Sequence, residues 1–198
     1  MFVLGLTGSI GMGKSTAAAM FRAEGIPVHD ADAVVHALYR GEAAPKIEAA
    51  FPGTTRDGVV DRGLLGALVL DDPATLARLE AIMHPLVAAS RDAFLTEAEK
   101  TGASLVVLDV PLLLETGGDR RVDAVVLVTA PEAVQKDRVS RRPGMTPERL
   151  AVILARQMPD AEKRARAHFI IDTGGEFAAT ARQVRAILRA LAGAKNKV

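Results

Sequence analysis

The chain has 198 residues, of which 49% are hydrophobic and 25% are charged, a balance that is typical of folded globular proteins and excludes a disordered chain. It contains no cysteine, so a disulfide framework, a thiolate metal site and a cysteine nucleophile are excluded. Lysine and arginine number 25 against 24 acidic residues, and the formal net charge of +1 favours neither a nucleic acid nor a membrane as partner.

The length favours a single domain, since a domain usually has about 100–200 residues. No apolar run reaches the roughly 18–20 residues of a membrane span. The amino-terminal stretch lacks the basic start of a secretory signal, and Gly8, Gly11 and Gly13 interrupt its apolar run. We therefore expect a cytoplasmic protein of one domain, and a monomer.

Short β-branched runs alternate with longer helical patterns, which is typical of a parallel sheet flanked by helices. The apolar runs predict five strands, at about 2–6, 26–29, 104–110, 122–129 and 169–172. The helical patterns predict helices at about 14–24, 31–39, 131–142 and 175–191.

Two stretches do not follow this alternation. Residues from about 41 to 101 are mostly helical in pattern and far longer than an ordinary crossover, so we expect an inserted helical lobe there. Residues from about 138 to 166 are rich in arginine and are expected to form a helical lid. The core of the domain then comprises residues from about 1–40, 102–137 and 167–198.

A glycine-rich motif follows the first predicted strand directly. Residues 8–15 match the pattern G-x-x-x-x-G-K-[ST] in full and lead into a predicted helix. Glycines let backbone N–H groups approach phosphate oxygens, and the N-terminus of a helix attracts anions. In such a loop the lysine bridges the β- and γ-phosphates, and the serine hydroxyl is a ligand of Mg²⁺. The motif thus predicts a three-layer P-loop NTPase fold whose nucleotide site comprises Gly11, Met12, Gly13, Lys14, Ser15 and Thr16.

Acidic residues follow two of the predicted strands, at the edge where ligands bind in open α/β sheets. Asp32 could accept the proton of a substrate hydroxyl, whereas Asp30 is better suited to cap the helix that follows. Asp109 ends the third predicted strand, where it is either a direct or indirect partner of Mg²⁺ or a capping residue. With an inserted lobe and a lid, these acids favour a small-molecule kinase over a regulatory switch.

The order of the motifs resembles that of the dephospho-CoA kinase family, which catalyses the last step of coenzyme A synthesis. The motifs are the phosphate loop, Asp30-Ala31-Asp32, His84-Pro85, PLLLE at 111–115 and the arginine segment after Pro131-Glu132. The resemblance extends over essentially the whole chain. It implies transfer of the γ-phosphoryl group of ATP to the ribose 3′-hydroxyl of dephospho-CoA, with Mg²⁺.

The resemblance also implies roles for individual residues of the acceptor site. Asp32 falls on the position of the general base, and His84, Pro111 and Leu112 fall on positions that bind the acceptor. A histidine before a proline favours an extended or turn conformation, so His84 alternatively closes the end of a helix that begins near Pro73.

Two arginines complete the implied catalytic set with Lys14 and Asp32. Arg138 and Arg142 fall on lid positions whose guanidinium groups face the phosphates. A spacing of four residues puts these two side chains on one face of the predicted helix, with Arg141 about 100° away from Arg142.

Two other functions remain open. Another small P-loop kinase, acting on a nucleoside monophosphate or a small metabolite, would share the phosphate loop. A nucleotide-dependent switch would need a guanine-reading segment of the type N-K-x-D, and Asn196-Lys197-Val198 provides no aspartate. One departure from the family pattern is Thr173, where an asparagine is expected near the adenine.

Overall fold

The computed structural model describes residues 1–69 and 72–195 of the chain. Its β-strands are β1 Phe2–Thr7, β2 Val28–Asp30, β3 Thr55–Arg56, β4 Val59–Val60, β5 Leu105–Asp109, β6 Ala124–Thr129 and β7 Phe169–Asp172. Its α-helices are α1 Lys14–Ala23, α2 Ala31–Leu38, α3 Ala43–Ala50, α4 Arg62–Val69, α5 Pro73–Lys100, α6 Glu132–Ser140, α7 Pro147–Ala155, α8 Asp160–Arg166 and α9 Phe177–Lys195. Within the described ranges, no helix is long and apolar enough to cross a membrane.

Five of the strands form one parallel sheet in the order β2-β5-β1-β6-β7. The central strand β1 pairs with β5 on one side, with Leu6 opposite Asp109, and with β6 on the other, with Leu4 opposite Ala124. Each of the five predicted strands is present, so the predicted α/β fold with a five-stranded parallel sheet is confirmed. β1, β5 and β6 are largely buried, because helices and loops cover both faces of the sheet.

The two faces of this sheet have separate hydrophobic clusters. On one face, α1 and α9 pack on the sheet, and Phe21 and Val184 are completely buried among strand residues. On the other face, Leu113 and Leu114 pack with Val125 of β6. The sheet therefore lies between two layers, as a three-layer fold requires.

Residues Asp30–Lys100 form a compact unit with its own core, which we call the helical unit. Ile47, Phe51, Leu65 and Met83 are buried in this core. The helical unit includes most of the predicted insertion at about 41–101, but it begins earlier, at Asp30.

One element of the helical unit was absent from the predicted helical pattern. Strands β3 and β4 form an antiparallel hairpin, and the turn between them comprises Asp57 at φ 51° and Gly58 at φ 75°. Two successive residues at positive φ are typical of the tight turns that match the twist of a hairpin. The hairpin was not predicted, because strands of two residues are too short to show an alternating pattern.

The predicted lid at about 138–166 contains the end of α6 and the helices α7 and α8. Thr146 caps α7, since its hydroxyl accepts a hydrogen bond from Arg149 N at 3.2 Å. The segment Asn196-Lys197-Val198, considered above as a guanine-reading candidate, lies outside the described residues.

Candidate active site

The loop at residues 8–13 connects the buried strand β1 to α1, as the motif predicted. Gly13 has φ 84°, and a Cβ atom there would lie 2.8 Å from the hydroxyl oxygen of Thr173. A Cβ atom on Gly8 would lie 2.7 Å from the carbonyl oxygen of Val128. These glycines are therefore required by packing within the protein as well as by any phosphate that binds.

The lysine of the loop forms an ion pair with the acid at the end of β5. Lys14 Nζ donates to Asp109 Oδ1 at 2.5 Å, and the two side chains are 13% and 2% exposed. The pairing of β1 with β5 places Asp109 beside the start of the loop. Ser15 and Thr16, in the first turn of α1, are exposed. The site thus combines an ammonium group, a buried carboxylate and two exposed hydroxyls at the N-terminus of a helix.

Helix α6 supports the loop through two side chains. The buried Gln135 donates from Nε2 to Ile10 O at 2.7 Å. Arg138 donates to Thr173, at 2.6 Å to its carbonyl oxygen and at 2.9 Å to its hydroxyl oxygen. The Thr173 hydroxyl in turn donates to Met12 O at 2.8 Å. Thr173 therefore links α6 to the phosphate loop. From the sequence, Thr173 was identified only as a residue that stands where the family pattern has an asparagine, and this link was not predicted.

The prediction that Arg142 shares a helix face with Arg138 is wrong. Helix α6 ends at Ser140, and Arg142 follows in an exposed turn. The residue before a proline avoids the helical conformation, and Pro143 here ends the helix before Arg142. Arg141 is exposed and pairs with Asp137 at 2.9 Å.

The connection between α7 and α8 also contacts the loop. Gln157 Oε1 accepts a hydrogen bond from Ile10 N at 3.2 Å, and Met158 N donates to Glu115 Oε1 at 3.0 Å. The fully buried Lys163 of α8 lies 2.8 Å from the same Glu115 oxygen. A cavity of about 450 Å³ lies between this connection, α6 and the phosphate loop. Lys163 was not identified as a buried residue from the sequence, because it lies among other basic residues of α8 and no sequence pattern separates it from them.

The segment after β5 contains the predicted acceptor-binding residues Pro111 and Leu112. Thr7 donates from its hydroxyl to Pro111 O at 2.9 Å, which ties this segment to the end of β1. Leu112 is 39% exposed, whereas Leu113 and Leu114 are buried in the core. The exposed leucine is thus available to a ligand, and its two neighbours have a packing role.

The two acids at the start of α2 have different environments. Asp30 caps the helix, since its Oδ1 accepts a hydrogen bond from Ala33 N at 3.0 Å, and the predicted capping role is confirmed. Asp32 is exposed in the first turn, and its carboxylate has no hydrogen-bond partner among the described residues. Asp32 is therefore free to bind a ligand, and Asp30 has a structural role.

His84 lies in the middle of α5 rather than at a helix end. The helix continues through Pro85 to Lys100, so the alternative in which His84 closes a helix is wrong. A proline inside a helix removes one backbone hydrogen bond but is tolerated where tertiary packing holds the helix, here through Met83 and Leu79. The His84 side chain is exposed.

The described residues contain no group of three or more histidine, aspartate or glutamate side chains that could hold a metal ion. The phosphate loop lies at the carboxyl edge of a parallel sheet, and its lysine pairs with a carboxylate of the adjacent strand β5. This arrangement defines a P-loop protein of the NTPase and kinase class.

Comparisons with known proteins narrow this class to one family. The family model described as dephospho-CoA kinase matches residues 2–179. A dephospho-CoA kinase of Mesorhizobium japonicum is 62% identical over 99% of this chain and 100% of its own length. The chain belongs to the dephospho-CoA kinase family, whose activity is the ATP-dependent phosphorylation of dephospho-CoA.

Two solved structures are similar to this chain in fold. The crystal structure of TT1252 from Thermus thermophilus is 37% identical and has a TM-score of 0.83, covering 96% of this chain and 97% of that one. A dephospho-CoA kinase from Campylobacter jejuni, 21% identical, has a TM-score of 0.65, covering 95% and 96%. At this identity, the similarity to the Campylobacter jejuni structure shows a shared fold alone.

Proposed function

We propose that this chain transfers the γ-phosphoryl group of ATP to the ribose 3′-hydroxyl of dephospho-CoA, giving coenzyme A and ADP. The observation that carries the proposal is the phosphate loop, with Lys14 paired to Asp109, in a chain that matches one kinase family over residues 2–179. The exposed Asp32 at the start of α2 supplies a candidate base for the acceptor hydroxyl.

The donor site comprises the loop and the first turn of α1. Backbone N–H groups of the loop and of the helix N-terminus donate to the phosphate oxygens. Lys14 exchanges its bond to Asp109 for the β- and γ-phosphates, which places its charge beside the transferring group. The residues of this site are Gly11, Met12, Gly13, Lys14, Ser15 and Thr16.

The chemistry of the donor set fits Mg²⁺. Ser15 presents an exposed hydroxyl and Asp109 a buried carboxylate, and hard oxygen ligands of this kind suit the ion. Mg²⁺ usually keeps several waters and needs only one or two protein ligands beside substrate phosphates, so a larger cluster of acids is unnecessary. When bound, the ion offsets the negative charge of the β- and γ-phosphates.

The acceptor is bound by Asp32, His84, Pro111 and Leu112. Asp32 takes the proton of the 3′-hydroxyl as that oxygen attacks the γ-phosphorus, and the bond to the β,γ-bridging oxygen breaks to release ADP. Exposure of the Asp32 carboxylate supports this role, because the group is not committed to a helix cap.

Two arginines contribute charge during transfer. Arg138 is held beside the loop by Thr173, and Arg142 is an exposed cation in the lid segment. Planar guanidinium groups suit phosphate oxygens, and cations near the γ-phosphoryl group stabilise the transition state. The proposal gives Arg138 a fixed contact and Arg142 one that forms on closure.

We also propose a domain organisation, an oligomeric state and a cellular location for the protein. The chain acts as one domain with a core at about 1–40, 102–137 and 167–198, an acceptor lobe at about 41–101 and a lid at about 138–166. It works as a cytoplasmic monomer on a small molecule, without nucleic acid or membrane, in keeping with its net charge of +1. Light scattering after gel filtration tests the oligomeric state.

A panel of acceptors tests the activity. The purified protein is mixed with MgATP and dephospho-CoA, a nucleoside monophosphate, shikimate or no acceptor, and ADP release is followed. We expect release that depends on dephospho-CoA, with the new phosphate on the ribose 3′-oxygen by ³¹P NMR. Turnover with another acceptor alone would indicate a different small-molecule kinase, and no acceptor-dependent turnover would indicate a nucleotide switch.

A further inference from the structure

Two basic side chains meet on the surface of the helical unit. Arg62 at the start of α4 donates from its guanidinium group to Nε2 of His36 on α2 at 2.9 Å. Both side chains are exposed, and Arg62 has no carboxylate partner among the described residues. Arg56, by contrast, pairs with Asp61 at 3.1 Å. The remaining guanidinium donors of Arg62 are thus available to an anion.

The backbone around Arg62 is held in place. Val60 N donates to Tyr39 O at 2.9 Å, which ties the hairpin to the end of α2. Asp61 accepts hydrogen bonds from the backbone N–H groups of Gly63 at 2.9 Å and Leu64 at 3.1 Å, and so caps α4. These bonds fix the start of α4 against the end of α2. The contact with His36 is therefore built into the unit.

The charge of Arg62 also acts on the partly buried Tyr39 at the end of α2. Burial raises the pKa of the Tyr39 phenol, and the nearby Arg62 guanidinium opposes that rise. Arg62 is thus near the end of α2, as its contact with His36 also shows.

The spacing along α2 relates this pair to the proposed base. Asp32 and His36 are four residues apart, so they share one face of the helix with about 5–6 Å between their Cβ atoms. The 3′-hydroxyl and the 5′-phosphate of one ribose are separated by a similar distance. An acceptor whose 3′-hydroxyl meets Asp32 can therefore place its 5′-phosphate beside His36 and Arg62.

We propose that His36 and Arg62 form the subsite for the diphosphate group of the acceptor. The inference rests on the proposed function, since it assumes that Asp32 receives the 3′-hydroxyl. Dephospho-CoA carries a diphosphate on its 5′-oxygen, and a guanidinium group matches phosphate oxygens in a bidentate manner. The subsite binds the part of the acceptor that does not react, so it contributes affinity rather than chemistry.

Steady-state kinetics of four variants test the subsite. Arg62→Gln should raise the KM for dephospho-CoA by about 10–100-fold, the range expected for a lost charged hydrogen bond, with kcat and the KM for ATP changed less than about threefold. Arg62→Lys keeps the charge and should recover most of this loss. His36→Gln should raise the same KM by about 3–10-fold. Arg56→Gln is the matched control, because it removes an exposed arginine of the same unit, and it should leave the kinetics unchanged.

Three results would overturn the subsite. They are an unchanged KM in Arg62→Gln, a fall in kcat without a rise in KM, or an equal effect of Arg56→Gln. Thermal unfolding of each variant separates misfolding from lost binding. Failure of the proposed function would be seen in the wild type, as absent turnover on dephospho-CoA. In that case, calorimetric binding of dephospho-CoA to the wild type and to Arg62→Gln still decides the subsite.

Discussion

Around the phosphate loop, Asp109, Gln135 and Thr173 are buried and form hydrogen bonds or ion pairs with neighbouring groups. The proposed acceptor residues of the helical unit are, by contrast, exposed side chains on two helices. Thr173 joins the loop to α6, and Lys14 is paired with a carboxylate that is 2% exposed. Asp32 and His84 lie on the surface of their unit. The donor region is thus preorganised before a ligand binds, which suits a site that must stabilise developing charge.

Substitutions in these two regions should therefore have different consequences. Changes near the phosphate loop should disturb both folding and catalysis, because each side chain there supports its neighbours. Changes at the exposed acidic and basic side chains of the helical unit should alter catalysis or substrate binding without changing the stability of the fold.

Asp32→Asn should lower kcat by about 10²–10⁴-fold while ATP binding and stability stay the same, because only a proton acceptor is removed. The matched control is Asp30→Asn, which keeps a good helix cap and should have a small effect. Kinetics with saturating substrates and ATP titration by calorimetry give the two readouts. A more damaging Asp30→Asn would reverse the two roles.

Lys14→Ala should lower kcat by about 10²–10³-fold, since a charge aimed at the transferring phosphoryl group is lost. Unlike Asp32→Asn, it should also reduce the thermal midpoint, because it removes the ion pair that Lys14 forms with the buried Asp109 carboxylate. Adding Asp109→Asn to this variant should recover stability but not activity. A folded Lys14→Ala protein with near wild-type turnover would contradict the assignment of the phosphate loop.

Lys163→Met should destabilise the protein by about 3–5 kcal/mol, because it leaves Glu115 without its buried partner. The control, Lys136→Met, removes a lysine whose pair with Glu132 is exposed, and should change stability by less than about 1 kcal/mol. Urea unfolding followed by circular dichroism measures both. Equal effects would show that burial of Lys163 adds nothing to the stability of the core.

Arg138→Ala should cost about 1.5–3 kcal/mol of stability and also reduce kcat, since its guanidinium group bonds to Thr173. Arg142→Ala should reduce kcat while the unfolding midpoint stays unchanged, because the side chain is exposed. Kinetics and urea unfolding of the two single variants separate these outcomes. Loss of stability in both would place Arg142 in the structural network.

The smallest expected effect concerns pH and the helical unit. The Glu48 carboxylate accepts hydrogen bonds from Gly53 N at 2.7 Å and from the Thr55 hydroxyl at 2.7 Å, and these bonds lower its pKa below the ordinary 4.5. A lowered pKa stabilises the fold above pH 4.5, and the contribution is lost as the pH falls through the lowered value. Glu48→Gln should therefore show a weaker fall of the unfolding midpoint on acidification than the wild type. An identical acid profile would exclude this contribution.

Sequence patterns were sufficient to predict the five strands of the parallel sheet, the phosphate loop and the capping role of Asp30. These features depend on neighbours in the chain, since period, glycine spacing and helix caps are local properties. The predicted end of this helix, at 142, was two residues too late, because Pro143 disfavours the helical conformation at the residue before it.

The polar residues that support the phosphate loop come together through packing of segments that are distant in the chain. Thr173 contacts Met12 across 161 positions of the chain, and Lys163 lies beside Glu115 in the core, with no local pattern to mark either contact. The Arg62 contact with His36 likewise depends on how a short hairpin ties α4 to α2. Such contacts arise from packing between distant segments, and a single sequence carries no periodic trace of which distant residue a side chain will meet.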